Sequence, residues 1–120
     1  MKIKNTKIKD LKIIELNKIK DQRGIFFRNY CEKELKLITK KRVVQSNISI
    51  NKKKFTLRGF HYQKNPSYEG KFITCISGQI FNVTIDLRKK SKSYLDMVKL
   101  NKVSTKNNIV FIPPGCANAF

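Results

Sequence analysis

Several residue types are scarce in this sequence of 120 residues, which has no tryptophan, one histidine and three cysteines. No stretch approaches the ~18 consecutive apolar residues that cross a bilayer, and the N-terminus lacks the apolar core of a secretion signal. Cys31, Cys75 and Cys116 are an odd number without CxxC spacing, which disfavours a disulfide framework or a zinc knuckle. We therefore expect a cytoplasmic protein with reduced and mostly packed thiols.

Acidic residues are also scarce: eight stand against 27 basic residues, for a net charge of +19. Twenty-two of the basic residues are lysines spread along the whole chain, and the longest lysine run covers only residues 52–54. Such a charge attracts phosphate-bearing partners. The sequence has no nucleic-acid-binding motif, no basic helix and no aromatic–basic platform. These absences disfavour nucleic acid as the main partner, and a phosphorylated small molecule fits the same charge.

Helical periodicity is rare in the sequence. The one candidate helix covers residues 31–41, where acids open the run, bases close it, and Leu35 and Ile38 share a face. Residues 43–50 alternate as a strand does, with Gln45 and Asn47 on one side as a hydrogen-bonding pair. Further strands, with turns at Gly78 and at 113–115, are predicted at residues 71–77, 79–87, 97–102 and 108–114.

Short β segments at close spacing with one brief helix predict a single all-β domain over residues 1–120, either a sandwich, a barrel or a jelly roll. No glycine-rich phosphate loop precedes a helix, and no βαβ rhythm is present, which excludes dinucleotide folds and P-loop enzymes. Phe120 ends a strand-like segment directly after a turn. A sheet that ended there would expose an unpaired edge, so we expect further C-terminal elements.

The only histidine, His61, lies in the stretch TLRGFHYQ, residues 56–63. A lone histidine on a strand is most often an ordinary half-buried residue. Metal binding would need more histidines or a cluster of acids, and no nucleophile elbow is present. General-base catalysis fits better, because an imidazole with a pKa near ~6.5 suits abstraction of a proton acidified by a carbonyl.

Two basic residues near the histidine suit the same chemistry. Lys71 opens a strand on which it shares a face with Ile73, so that it could stabilise an enolate; otherwise it is one more solvated lysine. Arg58 stands three residues before His61, and a regular strand would place them on opposite sides. Gly59 permits a bulge that turns both toward one cavity, where arginine suits phosphate or sugar contacts. The alternative is a surface arginine.

Six pieces of the sequence carry a resemblance: DQRGIFFRNY (21–30), QSNIS (45–49), LRGFHYQ (57–63), EGKFITCISGQIFNVTIDLR (69–88), the residues Ser91, Ser93 and Tyr94, and IPPGCANAF (112–120). Taken together, they resemble the dTDP-4-dehydrorhamnose 3,5-epimerase family. The resemblance implies a cupin-like jelly roll that epimerises a dTDP-4-keto-6-deoxyglucose at carbons 3 and 5 without a metal or redox cofactor. It also implies a homodimer in which N-terminal strands are exchanged.

The resemblance assigns roles to seven residues. It makes His61 the proton-abstracting base, Lys71 the residue that stabilises the enolate oxygen, and Arg58 a substrate contact beside the base. Arg23, Gln45 and Asn47 match positions that contact the nucleotide or the sugar in the family. The resemblance further implies that Arg23 serves the site of the neighbouring subunit. Asn118 matches a position where histidine is common, and its amide retains the capacity to hydrogen-bond a phosphate.

The chain also departs from the family pattern. Arg28 and Asn82 stand where acids are usual, and Asn118 where histidine is usual. The family's tyrosine acid and the aspartate that orients the histidine fall beyond residue 120, and none of the four tyrosines at positions 30, 62, 68 and 94 matches the acid. A 3-epimerase or a non-catalytic sugar-nucleotide-binding module therefore remains an alternative. A 3,4-ketoisomerase is disfavoured, because HYQ lacks the second histidine.

Overall fold

A computed structural model describes residues 1–103 and 108–120 of the chain, which form short antiparallel strands and one helical turn. In chain order these are β1 (Lys2–Asn5), β2 (Lys12–Glu15), β3 (Lys18–Asp21), β4 (Gly24–Phe27), α1 (Glu32–Leu35), β5 (Lys71–Thr74), β6 (Gln79–Asp86), β7 (Met97–Val103), β8 (Asn108–Ile112) and β9 (Cys116–Ala119).

The strands form two sheets and a separate hairpin. The four-stranded sheet has the order β1-β2-β8-β5, and the three-stranded sheet has the order β7-β6-β9. Strands β3 and β4 pair only with each other in the described part of the chain. Because β5 pairs with β8 while β6 pairs with β7 and β9, the turn at Gly78 carries the chain from one sheet to the other.

The two larger sheets face each other across a shared apolar layer. Val110, Ile112 and Ile73 project into it from the four-stranded sheet, and Cys116 and Val98 project into it from the three-stranded sheet. At roughly 25 cal/mol per Å² of apolar surface removed from water, this layer provides much of the driving force that holds the sheets together. We call the region between the two sheets the interlayer space.

A second apolar cluster covers the opposite face of the four-stranded sheet. Ile109 and Phe111 lie in it, with the Phe72 ring 4.8 Å from that of Phe111 and Ile38 packed against the cluster. Ile38 follows α1, which is shorter than the predicted helix over residues 31–41. The β-branched pair Ile38–Thr39 and the three bases at 40–42 disfavour further helical turns.

The predicted strand over residues 43–50 is wrong. All eight residues are exposed, and in the described chain none of them belongs to a ladder of hydrogen-bonded strands. An alternating pattern needs a neighbouring strand edge to satisfy its amides, and none of the described strands of this chain lies alongside. The other four predicted strands are confirmed, as are the turns at Gly78 and Gly115, where φ is +70° and +85°.

A buried ion pair fastens the loop after β6. Asp86 is fully buried and accepts hydrogen bonds from Nε and Nη2 of Arg88 at 2.8 and 2.9 Å, and from the Ser93 hydroxyl at 2.7 Å. Arg88 also donates to the Lys9 carbonyl at 2.6 Å, which ties the loop to the β1–β2 turn. Burial opposes ionisation of Asp86, but the hydrogen bonds from Arg88 and Ser93 hold its carboxyl pKa well below the usual range.

Replacing Asp86 with asparagine is expected to lower the free energy of unfolding at neutral pH by about 3 kcal/mol, because Arg88 loses its buried counter-charge. A carboxyl whose pKa is depressed on folding stabilises the protein above its unfolded pKa, and that stabilisation is lost as the pH falls. The difference between wild type and variant should therefore shrink below about pH 4. Urea unfolding measured from pH 3 to pH 7 tests both statements.

The hairpin offers a matched control, because Asp21 and Arg23 form the same kind of pair two residues apart, at 2.6 Å on the surface. Asp21→Asn should change the unfolding free energy far less than Asp86→Asn, since an exposed pair is solvated whether or not the chain is folded. If the two substitutions lowered the unfolding free energy equally, burial would not be the reason that the Asp86–Arg88 pair stabilises the fold.

Candidate active site

The segment that contains the only histidine pairs with β9 through an irregular ladder. Arg58 and Phe120 exchange backbone hydrogen bonds of 2.7 and 2.9 Å, and His61 and Asn118 exchange bonds of 2.7 and 3.1 Å. Two residues of this segment, Gly59 and Phe60, thus lie opposite the single residue Ala119. This is a β-bulge, at the position where the sequence predicted one. We call residues 58–61 the bulged segment.

The bulge places Arg58 and His61 on the same face of the sheet. Residues directly paired across antiparallel strands project to one side, and so do residues two apart along a strand. Arg58 is paired with Phe120 and His61 with Asn118, and these two partners are two residues apart at the end of β9 and directly after it. Without the extra residue, Arg58 and His61 would project to opposite faces.

Gly59 makes this arrangement possible. Its φ of +123° is a conformation that residues with a side chain rarely adopt. A Cβ at this position would lie 2.7 Å from both the Ala119 Cα and the Asn118 carbonyl oxygen. The position therefore combines backbone strain for any other residue with direct contact against the β9 backbone.

The shared face of Arg58 and His61 is the one that borders the interlayer space. Asn118 of β9 lies opposite Thr84 of β6, and Thr84 lies opposite Val98 of β7. The Val98 side chain packs into the apolar layer between the sheets. His61 therefore extends the row Asn118–Thr84–Val98 at the edge of the three-stranded sheet, and its side chain remains exposed.

Lys71 approaches the same space from the other sheet. It lies opposite Ile112 of β8, whose side chain belongs to the apolar layer. The Lys71 side chain is 26% exposed, and its Nζ lies 3.0 Å from a Glu69 carboxylate oxygen. The candidate base and the candidate enolate-stabilising cation are thus held by different sheets that face each other.

Arg58 has one partner that sequence reasoning missed. Its Nε donates to the Asn51 side-chain oxygen at 2.6 Å, which restrains the orientation of the guanidinium. Asn51 lies in an exposed loop seven residues earlier, and no periodic signal marks it. Both residues are exposed, so their remaining hydrogen-bonding groups are open to a ligand.

The strand surface beside His61 is polar, neutral and buried. Asn82 and Thr84 are fully buried and Asn118 is 2% exposed. The Thr84 hydroxyl donates to the Asn82 side-chain oxygen at 3.4 Å, while Asn82 Nδ2 and Asn118 Oδ1 have no hydrogen-bond partner among the residues that the structure describes. Buried polar atoms are satisfied in the great majority of cases, which makes these two exceptional. We call these three residues the amide wall.

Three predicted ligand contacts lie outside this cluster in the described chain. Arg23 sits at the β3–β4 turn with a side chain that is 90% exposed, and its guanidinium bonds Asp21. Gln45 and Asn47 share one side of their segment as predicted, and Gln45 Nε2 donates to Asn47 Oδ1 at 3.2 Å. Both are exposed. Their roles in binding remain predictions.

The described residues contain no group of three histidine, cysteine or acidic side chains close enough to hold a metal ion. They also contain no helix long and apolar enough to cross a membrane.

Cys75 and Cys116 are buried free thiols, as expected, and burial raises the pKa of the Cys116 thiol to about 12. The candidate active site therefore consists of the His61 imidazole, the cations of Arg58 and Lys71, and the amide wall.

Comparison with known proteins identifies relatives along the whole described chain. The family model for dTDP-4-dehydrorhamnose 3,5-epimerase matches residues 5–120. The dTDP-4-dehydrorhamnose 3,5-epimerases of Salmonella typhimurium and Shigella flexneri are each 34% identical to this chain, over 96% and 100% of its length. These alignments cover 63% and 67% of the two relatives, so the chain spans about two thirds of their length.

Solved structures give the same result for the fold. The dTDP-6-deoxy-D-glucose-3,5-epimerase of Legionella pneumophila, crystallised in complex with dTDP-4-keto-L-rhamnose, aligns with a TM-score of 0.92 at 34% identity. The alignment covers 99% of this chain and 63% of the Legionella chain. The predicted all-β, cupin-like jelly-roll fold is confirmed.

Proposed function

Because the chain belongs to the dTDP-4-dehydrorhamnose 3,5-epimerase family, we propose that the protein converts dTDP-4-keto-6-deoxy-D-glucose to dTDP-4-keto-L-rhamnose. The observation that carries the proposal is the bulge at Gly59. It turns His61 and Arg58 to one face, and that face borders the space that Lys71 enters from the opposite sheet.

The proposed chemistry is proton abstraction next to a ketone. The 4-keto group acidifies the hydrogens on carbons 3 and 5, and His61 removes one of these as a general base. The electrons of the broken C–H bond move onto the ketone oxygen, where the Lys71 ammonium stabilises the enolate charge. A proton supplied from solvent, through an acid other than His61, adds to the opposite face of the carbon and inverts its configuration. His61 then releases the abstracted proton to solvent, so the reaction is an isomerisation without net redox change.

The remaining predicted residues bind the substrate in this proposal. Arg58, held by Asn51, contacts the substrate beside the base and supplies positive charge. Arg23, Gln45 and Asn47 contact the nucleotide or sugar, and the exposure of all three is compatible with this role. Asn118 offers a neutral amide instead of the usual histidine, so it contributes hydrogen bonding without charge.

Solvent exchange tests this function directly. The full-length protein is incubated in D₂O with dTDP-4-keto-6-deoxyglucose, and NMR follows deuterium at each sugar carbon. Incorporation at carbons 3 and 5 is expected. Incorporation at carbon 3 alone would identify a 3-epimerase, and dTDP-sugar binding without exchange would identify a non-catalytic binding module.

We also propose that the protein acts in the cytoplasm as a homodimer with exchanged N-terminal strands. Large apolar side chains are exposed on the β3–β4 hairpin and on the segment before the bulge, and a partner subunit would cover them. Examples are Phe26 at 70% exposure, Val44 at 93% and Ile48 at 75%. Sedimentation equilibrium should give twice the monomer mass, and Ile48→Lys should shift the protein toward monomer. A wild-type monomer at micromolar concentration would contradict the proposal.

A further inference from the structure

A cleft lined mainly by lysines lies between the β1–β2 turn and the loop that follows β6. Its volume is about 400 Å³, and its lining includes Lys7 and Lys9 from the first segment and Lys90 and Lys92 from the second. The two walls come from chain segments about 80 residues apart. None of these lysines belongs to the candidate active site. We call this feature the lysine cleft.

The charges in the lysine cleft are mostly uncompensated. Asp96 is the one acidic side chain in its lining, and it interacts with Lys7 at a distance of 3.7 Å. The side chains of Lys9, Lys90 and Lys92 form no ion pair within residues 1–103 and 108–120. Like charges that converge in a concave surface repel one another and concentrate a positive field, which an anion would relieve.

The fold holds the two walls together despite this repulsion. The backbone N–H of Lys9 donates to the Ser93 hydroxyl at 3.1 Å, and Arg88 donates to the Lys9 carbonyl at 2.6 Å. Ser93 and Arg88 are both bonded to the buried Asp86. The backbones that carry the lysines are therefore positioned before any ligand arrives, and a ligand would have to order only the flexible side chains.

We infer that the lysine cleft is a second anion site, which binds a compact, multiply charged phosphate compound independently of the site around His61. Its concave shape and volume suit a compact anion, which the flexible lysine side chains of both segments can reach. A long polyanion, by contrast, would follow the charge spread over the whole surface. Lysine is a suitable residue for this purpose, because its ammonium group is a point charge that does not demand one fixed geometry.

Inorganic tripolyphosphate is the probe, and isothermal titration calorimetry of the full-length protein in 150 mM salt is the measurement. A variant with Lys7, Lys9, Lys90 and Lys92 all changed to glutamine should bind it at least tenfold more weakly than wild type. The matched control changes four exposed lysines elsewhere, at positions 40, 41, 52 and 53, to glutamine. It loses the same four charges and should bind within about twofold of wild type.

Three results would overturn the inference: no binding by wild type, equal weakening in both variants, or complete displacement of tripolyphosphate by saturating dTDP. Equal weakening would show that the overall charge, rather than the cleft, attracts the anion. Displacement by dTDP would place the anion in the nucleotide site. Thermal melting of both variants verifies folding, and since all eight lysines are exposed, unchanged melting is expected.

Discussion

Replacement of His61 by alanine is expected to reduce deuterium incorporation at carbons 3 and 5 of the substrate by at least 10³-fold, since no base remains to take the proton. The affinity for dTDP should stay within about threefold of wild type, because the nucleotide contacts lie on other residues. His61 is exposed and its two hydrogen bonds to Asn118 are made by the backbone. The variant should therefore fold normally.

A parallel Lys71→Met variant distinguishes the two proposed roles. Methionine keeps the length of the side chain but removes the ammonium group that stabilises the enolate. We expect about 10²-fold slower exchange, with the base still present. Exchange at nearly the wild-type rate in His61→Ala would disprove the assignment of the base, whatever Lys71→Met shows.

Replacement of Gly59 by alanine is expected to lower the free energy of unfolding by about 2–6 kcal/mol. A positive φ strains any residue with a Cβ by about 1–3 kcal/mol, and forcing atoms into a packed region adds a similar amount. Here the added Cβ would lie 2.7 Å from two backbone atoms of β9, which cannot rotate away. Urea unfolding measures the loss, and hydrogen exchange at the His61 and Asn118 amides shows whether the ladder opens.

Gly24 provides the control for this effect. Its φ is +133°, close to that of Gly59, but a Cβ at this position would meet no atom within 4 Å. Gly24→Ala should therefore cost only the backbone strain, about 1–3 kcal/mol. A cost for Gly59→Ala no greater than that of Gly24→Ala would contradict the close packing of the bulged segment on β9.

Local patterns predicted strands β5 to β8 and the bulge that orients the candidate base, but they did not predict β1 and β2 of the four-stranded sheet. The sequences of β5 and β8 are either alternating or continuously apolar. Glycine marks both the turn at residue 78 and the bulge at residue 59. Residues 43–50 alternate equally well, yet no strand lies alongside them in the described chain. Alternation of apolar and polar residues identifies a segment that is suited to pair as a strand. Whether it pairs depends on whether the fold places another strand beside it.

Contacts between distant segments explain what the sequence did not reveal. The bond from Lys9 to Ser93 spans 84 residues, and the convergence of four lysines into one cleft follows from it. Asn51 beside Arg58 and the unpartnered amides of Asn82 and Asn118 are likewise products of three-dimensional placement. In the sequence alone, nothing distinguishes the contacts of these residues from those of the other lysines and asparagines.

In the proposed mechanism, the division of the candidate base and the candidate cation between two facing sheets makes the thickness of the apolar layer a determinant of the reaction rate. His61 extends one sheet and Lys71 begins a strand of the other, so side chains in that layer, such as Val98 and Ile112, help to set the distance between the two groups. Shortening or enlarging those side chains is expected to change the rate of the proposed proton transfer, although neither of them belongs to the candidate site.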